Sequence, residues 1–295
     1  MPLRRGSQSC TLEIVRQLTI IGTGLIGGSF ALAVRKAGFT GRIVGCDRPL
    51  VLAQAKRLGV IDIGMMEVRQ AVQGSDVILL ATPVGAIIDL LEESPTFPAE
   101  ALITDVGSTK AAIVDRARSV FGDAAKTRFL PGHPMAGKEN SGVAEASADL
   151  FEGAVWLFTP MPGQDMESGA AGEFVEWVRR IGARALTVDI SRHDLICAWV
   201  SHLPQMLSTA LAASLYDEFD GDADAQAIGG RALREMTRIA SSPYSMWRDI
   251  ALTNTGNIEQ ALMRLEQRIA HIRENLRTRE LEEEFGRGRK FKTRS

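Results

Sequence analysis

The sequence predicts an α/β fold over residues 1–188, a doubly wound parallel sheet, followed by an all-helical domain over residues 189–295. Three observations carry this. Short apolar, β-branched runs alternate with helical patterns through the first 190 residues, as strands of a parallel sheet covered on both faces require. Glycine and proline mark the junctions between them. After Asp189 the strand runs stop and helical apolar spacing takes over.

Taken in order, the strand candidates are LTIIG (18–22), GRIVGCD (41–47), DVILLATP (76–83), ALITDVG (101–107), TRFLPGHP (127–134), AVWLFTP (154–160) and ARALTVD (183–189). Ser191, with Asp194 three residues on, reads as a capping box opening the long apolar helix LICAWVSHLPQMLSTALAASLY. Pro204 lies inside it and predicts a kink, because it has no N–H to give. A second long helix follows Thr255. Its apolar residues Ile258, Leu262, Leu265, Ile269, Ile272 and Leu276 alternate steps of four and three. That seam packs along another helix and predicts a homodimer through this domain. The closing GRGRKFKTRS reads as a frayed, solvated tail.

Composition excludes several function classes. With 34 Lys plus Arg against 36 Asp plus Glu the net charge is −2, so no nucleic-acid-binding surface is expected. Cys10, Cys46 and Cys197 are widely spaced with no CxxC, which predicts neither a disulfide framework nor a thiolate metal site and points to a reducing cytoplasm. No apolar run approaches the roughly 20 residues that a membrane span needs.

The first strand-to-helix junction, IIGTGLIGG, spaces Gly22, Gly24 and Gly27 as GxGxxG. The first glycine permits the tight turn, the second admits a pyrophosphate to the backbone beside Leu25 and Ile26, and the third lets helix and strand pack closely. This predicts a Rossmann-type dinucleotide site, the alternative being a glycine-rich turn kept only for packing. Asp47 ends the next strand, where a carboxylate accepts from both ribose hydroxyls and repels a 2′-phosphate. NAD is therefore expected over NADP, with Arg48 next door opposing the inference. The strand ends Ala81-Thr82-Pro83 and Asp105-Val106-Gly107-Ser108-Thr109-Lys110 converge on the same sheet edge and are expected to line the nicotinamide pocket. Ser108 alternatively serves as a simple helix cap.

Three further segments carry chemistry. In PGHPMAG, His133 is held between two prolines, in a rigid turn that is neither helix nor regular strand; it is either a surface turn or an imidazole placed for proton transfer. SHLPQ sets His202 and Gln205 at the proline kink. TRIASSPYSMWRD joins Arg238 to hydroxyls at a helix break, as carboxylate recognition requires, although a solvated ion pair fits too.

GxGxxG, DVGSTK, GHPMAGKE, SHLP and TRIASSPYSMWRDI, in this order, closely resemble the prephenate and arogenate dehydrogenases of tyrosine biosynthesis over roughly residues 18–280. The resemblance implies an NAD-dependent oxidative decarboxylation. His133 would accept the proton of the substrate's 4-hydroxyl as hydride leaves C4, Ser108 would orient that hydroxyl and the cofactor, and Arg238 would bind a substrate carboxylate. Ser242 joins it in the substrate site, and Trp247 matches a residue placed near the active site across a dimer interface. Gln205 stands where several prephenate-specific members carry a second histidine. Glu139 beside Lys138 could meet the ammonium group that distinguishes arogenate. Gly229 to Glu235 depart from the family's GGFRD pattern. Neither an attached chorismate mutase domain nor a regulatory domain is expected. The competing readings are a β-hydroxyacid dehydrogenase, for which Lys138 in GKEN would be the lysine, and a non-catalytic NAD-binding module.

Overall fold

The structure, a computed structural model, describes residues 15–138 and 140–293. Cys10 and Glu139 lie outside the described residues. Six strands, β1 (Gln17–Ile21), β2 (Arg42–Cys46), β3 (Ile63–Met65), β4 (Val77–Leu80), β5 (Leu102–Asp105) and β6 (Phe129–Leu130), form one sheet in the order β3-β2-β1-β4-β5-β6. Every pairing in it is parallel.

Side chains alternate between two cores, as the twofold period of a strand dictates. Leu18, Ile20, Val77 and Leu79 face a cluster containing Phe30, Phe151, Trp156 and Phe174. Ile21, Ile78 and Leu80 face the other, with Ile87, Ile113 and Phe129. In the first cluster Trp156 lies 5.4 Å from Phe30 and 5.3 Å from Phe151, ring centre to ring centre. Strand β3 has no apolar run to announce it: Ile63, Gly64 and Met65 pair only with β2 at the sheet edge and are not buried.

The run TRFLPGHP is not one strand. Pro131 cannot donate, and the chain leaves the parallel sheet there: β6 pairs with β5, whereas β7 (Gly132–Pro134) joins a small second sheet with β8 (Val155–Phe158) and β9 (Arg184–Thr187). His133 is therefore in a strand, not in the irregular turn its flanking prolines predict. The small sheet tolerates them because β7 is its edge and is only three residues long. The bonds bracketing His133 run from Thr159 N–H to the Pro131 carbonyl (3.1 Å) and from Met135 N–H to the Val155 carbonyl (2.7 Å).

Compactness does not follow the division at residue 188. One unit comprises the described residues up to Asp194 together with Ser241–Thr253, and the other Leu195–Ala240 with the described residues from Asn254 onward. Ser191 does not open the long helix. Asp189 does, its Oδ1 accepting from the Ser191 and Arg192 amides at 3.0 and 3.2 Å. The helix runs from Ile190 to Phe219 and is wound as a π-helix over Ala198–His202, just before Pro204. A wide turn there relieves the clash between the proline ring and the carbonyl four residues earlier. This helix is also long and apolar enough to cross a membrane by length and composition alone, correcting the expectation of no such stretch. The long helix Thr255–Glu274 forms as expected, but Leu276 falls beyond its end.

GRGRKFKTRS is not a frayed tail through most of its length. A helix occupies Glu280–Lys292, with Glu280, Glu282 and Glu283 in its first turn and Arg289, Lys290 and Lys292 in its last, the charge order that a helix dipole favours. Glu284 pairs with Arg268 (2.7 Å) and Arg287 (2.6 Å).

Candidate active site

The β1 junction needs glycine at two of its three motif positions and is open at the third. Gly22 has φ of 95°, and a Cβ on it would stand 2.5 Å from the Ala81 carbonyl oxygen. A Cβ on Gly27 would stand 2.1 Å from the Gly22 carbonyl oxygen, so only glycine lets the helix Leu25–Lys36 close on the strand. Gly24 differs: a Cβ there meets nothing within 4 Å, leaving open space over the amides of Leu25 and Ile26. No side chain caps this helix.

Asp47 is fixed beside it. Its Oδ2 accepts from Thr23 N–H (2.8 Å) and Thr23 Oγ1 (3.3 Å), and its Oδ1 from Arg48 N–H (2.7 Å). The Arg48 side chain is exposed. Thr82, half-buried at the end of β4, places its Oγ1 in the interior without a hydrogen-bond partner. Pro83 opens the helix Val84–Glu93. An uncapped helix end, an open cradle over Gly24 and an unsatisfied hydroxyl together fit a dinucleotide. Cys46, next to Asp47, is free and buried, and burial plus the Asp47 and Glu67 charges push its thiol up to about 11, which makes it inert.

Ser108 is half-buried between β5 and the helix Ala111–Phe121 and does not cap that helix. Its first amides belong to Asp194, whose Oδ1 accepts from Lys110 N–H (2.7 Å) and Oδ2 from Ala111 N–H (2.9 Å). Lys110 is fully buried and ion-paired with Asp105; its Nζ also donates to the Gly132 carbonyl at 2.7 Å. Asp105 in turn accepts from Gly107 N–H (2.8 Å) and Gly132 N–H (3.2 Å). A Cβ on Gly132 would stand 2.9 Å from the Asp105 carbonyl oxygen. Backbone and ion pair thus lock the residue before His133.

His133 is 7% exposed, and its Nδ1 lies 2.9 Å from Nε2 of His193, which is 1% exposed. His193 Nδ1 lies 2.8 Å from Asp194 Oδ1. Burial pushes the Asp194 carboxyl up, but hydrogen bonds from the His193 ring and from the Ala111 and Lys110 amides outweigh it and hold the group below the ordinary carboxylate range.

The remaining candidates divide between the units. Ser242 and Trp247, both half-buried, belong to the first, where Asp249 accepts from Gly85 N–H (3.0 Å) and Thr253 Oγ1 meets Thr109 Oγ1 (2.7 Å). His202, Gln205 and Arg238 belong to the second. His202 Nδ1 lies 3.2 Å from Asn254 Nδ2. The Gln205 amide donates to the Ile239 carbonyl (2.9 Å) and to Thr209 Oγ1 (3.2 Å), tying it to the residue after Arg238, which is exposed. Lys138, also exposed, donates to the Glu145 carbonyl at 2.7 Å.

Residue patterns put the loop from Asp105 to Lys110 at the nicotinamide edge but did not single out His193 or Asp194 for a role at the site; the available signal was the His-Asp dipeptide after ISR.

Residues 30–186 match the family model described as "Prephenate dehydrogenase, nucleotide-binding domain", and residues 189–290 match "Prephenate dehydrogenase, dimerization domain". A prephenate dehydrogenase of Lactococcus lactis is 34% identical over 262 residues, which is 88% of this chain and 70% of that relative. Among solved structures, a prephenate dehydrogenase of Aquifex aeolicus in complex with hydroxyphenyl propionate and NAD+ superposes with a TM-score of 0.82 at 32% identity, covering 94% of this chain and 96% of its own. An arogenate dehydrogenase of Synechocystis gives 0.76 at 26% identity, over 94% and 99% of the two chains.

Proposed function

The chain belongs to the prephenate dehydrogenase family, and from that premise we propose that it oxidises and decarboxylates prephenate, arogenate or both, with His133 as the base. The observation carrying this reading is the buried His133 on a locked backbone, one ring nitrogen engaged by His193. Its imidazole takes the proton of the substrate's 4-hydroxyl as the C4 hydride departs. Loss of the ring carboxylate as CO2 then sends its electron pair through the ring to the new carbonyl oxygen, to which His133 returns the proton. NAD, when bound, supplies the hydride acceptor. Gly22, Gly24, Leu25, Ile26, Gly27, Asp47, Thr82 and Pro83 hold it, and Ser108 aligns hydroxyl and nicotinamide. Asp47, anchored by the Thr23 amide, favours NAD over NADP.

Arg238 takes a substrate carboxylate in this reading, with His202, Ser242 and Trp247 around the substrate. Both amide protons of Gln205 go to protein acceptors, so what it offers a ligand is its carbonyl oxygen, which suits an ammonium better than a keto group. Arogenate is therefore accepted at least as well as prephenate. Residues to 188 form the nucleotide-binding domain and those from 189 the dimerising one, in the cytoplasm. NADH formation with each substrate tests the proposal. Turnover of neither substrate sinks it, and a prephenate preference of 100-fold, about 2.7 kcal/mol, sinks the specificity argument.

A further inference from the structure

Behind His133 stands a chain of buried groups whose protons can be placed by elimination. Asp194, 2% exposed, is an acceptor to three donors: the amides of Lys110 and Ala111 and the His193 ring. A carboxylate cannot donate, so the proton between it and His193 sits on His193 Nδ1. In a neutral imidazole the other nitrogen is then an acceptor, and His193 Nε2 takes the proton of His133 Nδ1 across 2.9 Å.

We infer that His193 and Asp194 are positioning residues that hold His133 as the Nδ1–H tautomer, presenting Nε2 as the nitrogen that receives the substrate proton. This rests on the proposed role of His133. The two rings are tilted 59° with centroids 5.1 Å apart, so they meet through this hydrogen bond rather than by stacking. When His133 becomes an imidazolium, the Asp194 carboxylate stabilises the charge through the intervening ring, much as the aspartate of a serine-protease triad does. The opposite arrangement, His193 doubly protonated, would turn His133 into the Nε2–H tautomer and remove its basicity on that side. The two states are therefore distinguishable.

The experiment combines a spectroscopic and a kinetic arm on the full chain. With four histidines in the sequence, ring ¹⁵N shifts can be assigned using His133→Asn and His193→Gln. The expected result is a protonated Nδ1 and a bare Nε2 on His133; the reverse overturns the inference. Asp194→Asn removes the charge and puts NH2 either at the oxygen shared by His193 and the Lys110 amide or at the one that meets the Ala111 amide, so the carboxylate that stabilises a protonated His133 is lost. This variant should lower kcat about 10²- to 10⁴-fold with KM and NAD affinity little changed. His193→Gln keeps an acceptor for His133 Nδ1–H and should retain at least about tenfold more activity than His193→Leu. An unchanged kcat in Asp194→Asn, or equal activity in the two His193 variants, overturns the inference. The ¹⁵N arm needs no turnover, so inactivity of the wild type toward both substrates would refute the proposed reaction while the tautomer result still decides this one.

Discussion

His133 is placed by its neighbours more than by its own rotamer. Gly132 is gripped through its N–H by Asp105 and through its carbonyl by Lys110, while the ring meets His193. Rigid placement of this kind is what the proposed base requires. His133→Asn should therefore fold and bind NAD normally, because the glycine cradle at Gly22 to Gly27 shares no hydrogen bond with it, and lose about 10²- to 10⁴-fold in kcat. Steady-state kinetics with NAD binding followed by fluorescence checks this; near-normal turnover would refute the catalytic assignment. The buried Lys110–Asp105 pair contributes position more than stability, since desolvating two charges cancels much of their attraction.

At the level of elements, two helices pointing into the sheet's carboxyl edge are capped by carboxylates from far along the chain. Asp194 caps Ala111–Phe121 across a separation of 83 residues, and Asp249 meets Val84–Glu93 at Gly85 across 164. A Cβ on Gly85 would stand 2.8 Å from Asp249 Oδ2. Gly85→Ala must therefore displace that carboxylate, and thermal or urea denaturation should register a loss of about 1–3 kcal/mol; an unchanged midpoint would show that the cap is dispensable. Asp194 adds a pH signature. Its carboxyl is held below its unfolded value of about 3.9, so the stability it contributes is fully present above that pH and is lost as pH falls below it. The stability difference between wild type and Asp194→Asn should shrink on going from pH 7 to pH 3. A constant difference would contradict the argument.

At the scale of the whole molecule, both hydrophobic core clusters among the described residues belong to the first unit. The second buries Ala198, Leu203, Ile258 and Ala261 but leaves Val200, Tyr216, Met263 and Ile269 more than half exposed. Exposed apolar surface on that scale marks an interface, and these residues lie within the match to a dimerization domain. Sedimentation equilibrium should report a dimer at micromolar concentration; a stable monomer would contradict it.

Sequence alone determined the parallel sheet and the glycine-spaced turn after its first strand, and it marked His133 for attention, because strand period, glycine spacing and proline geometry are properties of consecutive residues. It also located Gly22, Gly24, Gly27 and Asp47, whose geometry the structure then displays. The prolines around His133 read as a turn because their effect on the local backbone is legible, whereas the partner strand Val155–Phe158 that makes the segment an edge is more than twenty residues away. Only the tertiary structure decided that Asp194 caps a different helix from the one it belongs to, that Lys110 is buried against Asp105, and that His193 stands behind His133. Burial and long-range hydrogen bonds depend on which surfaces meet, and no periodicity within a single element records that.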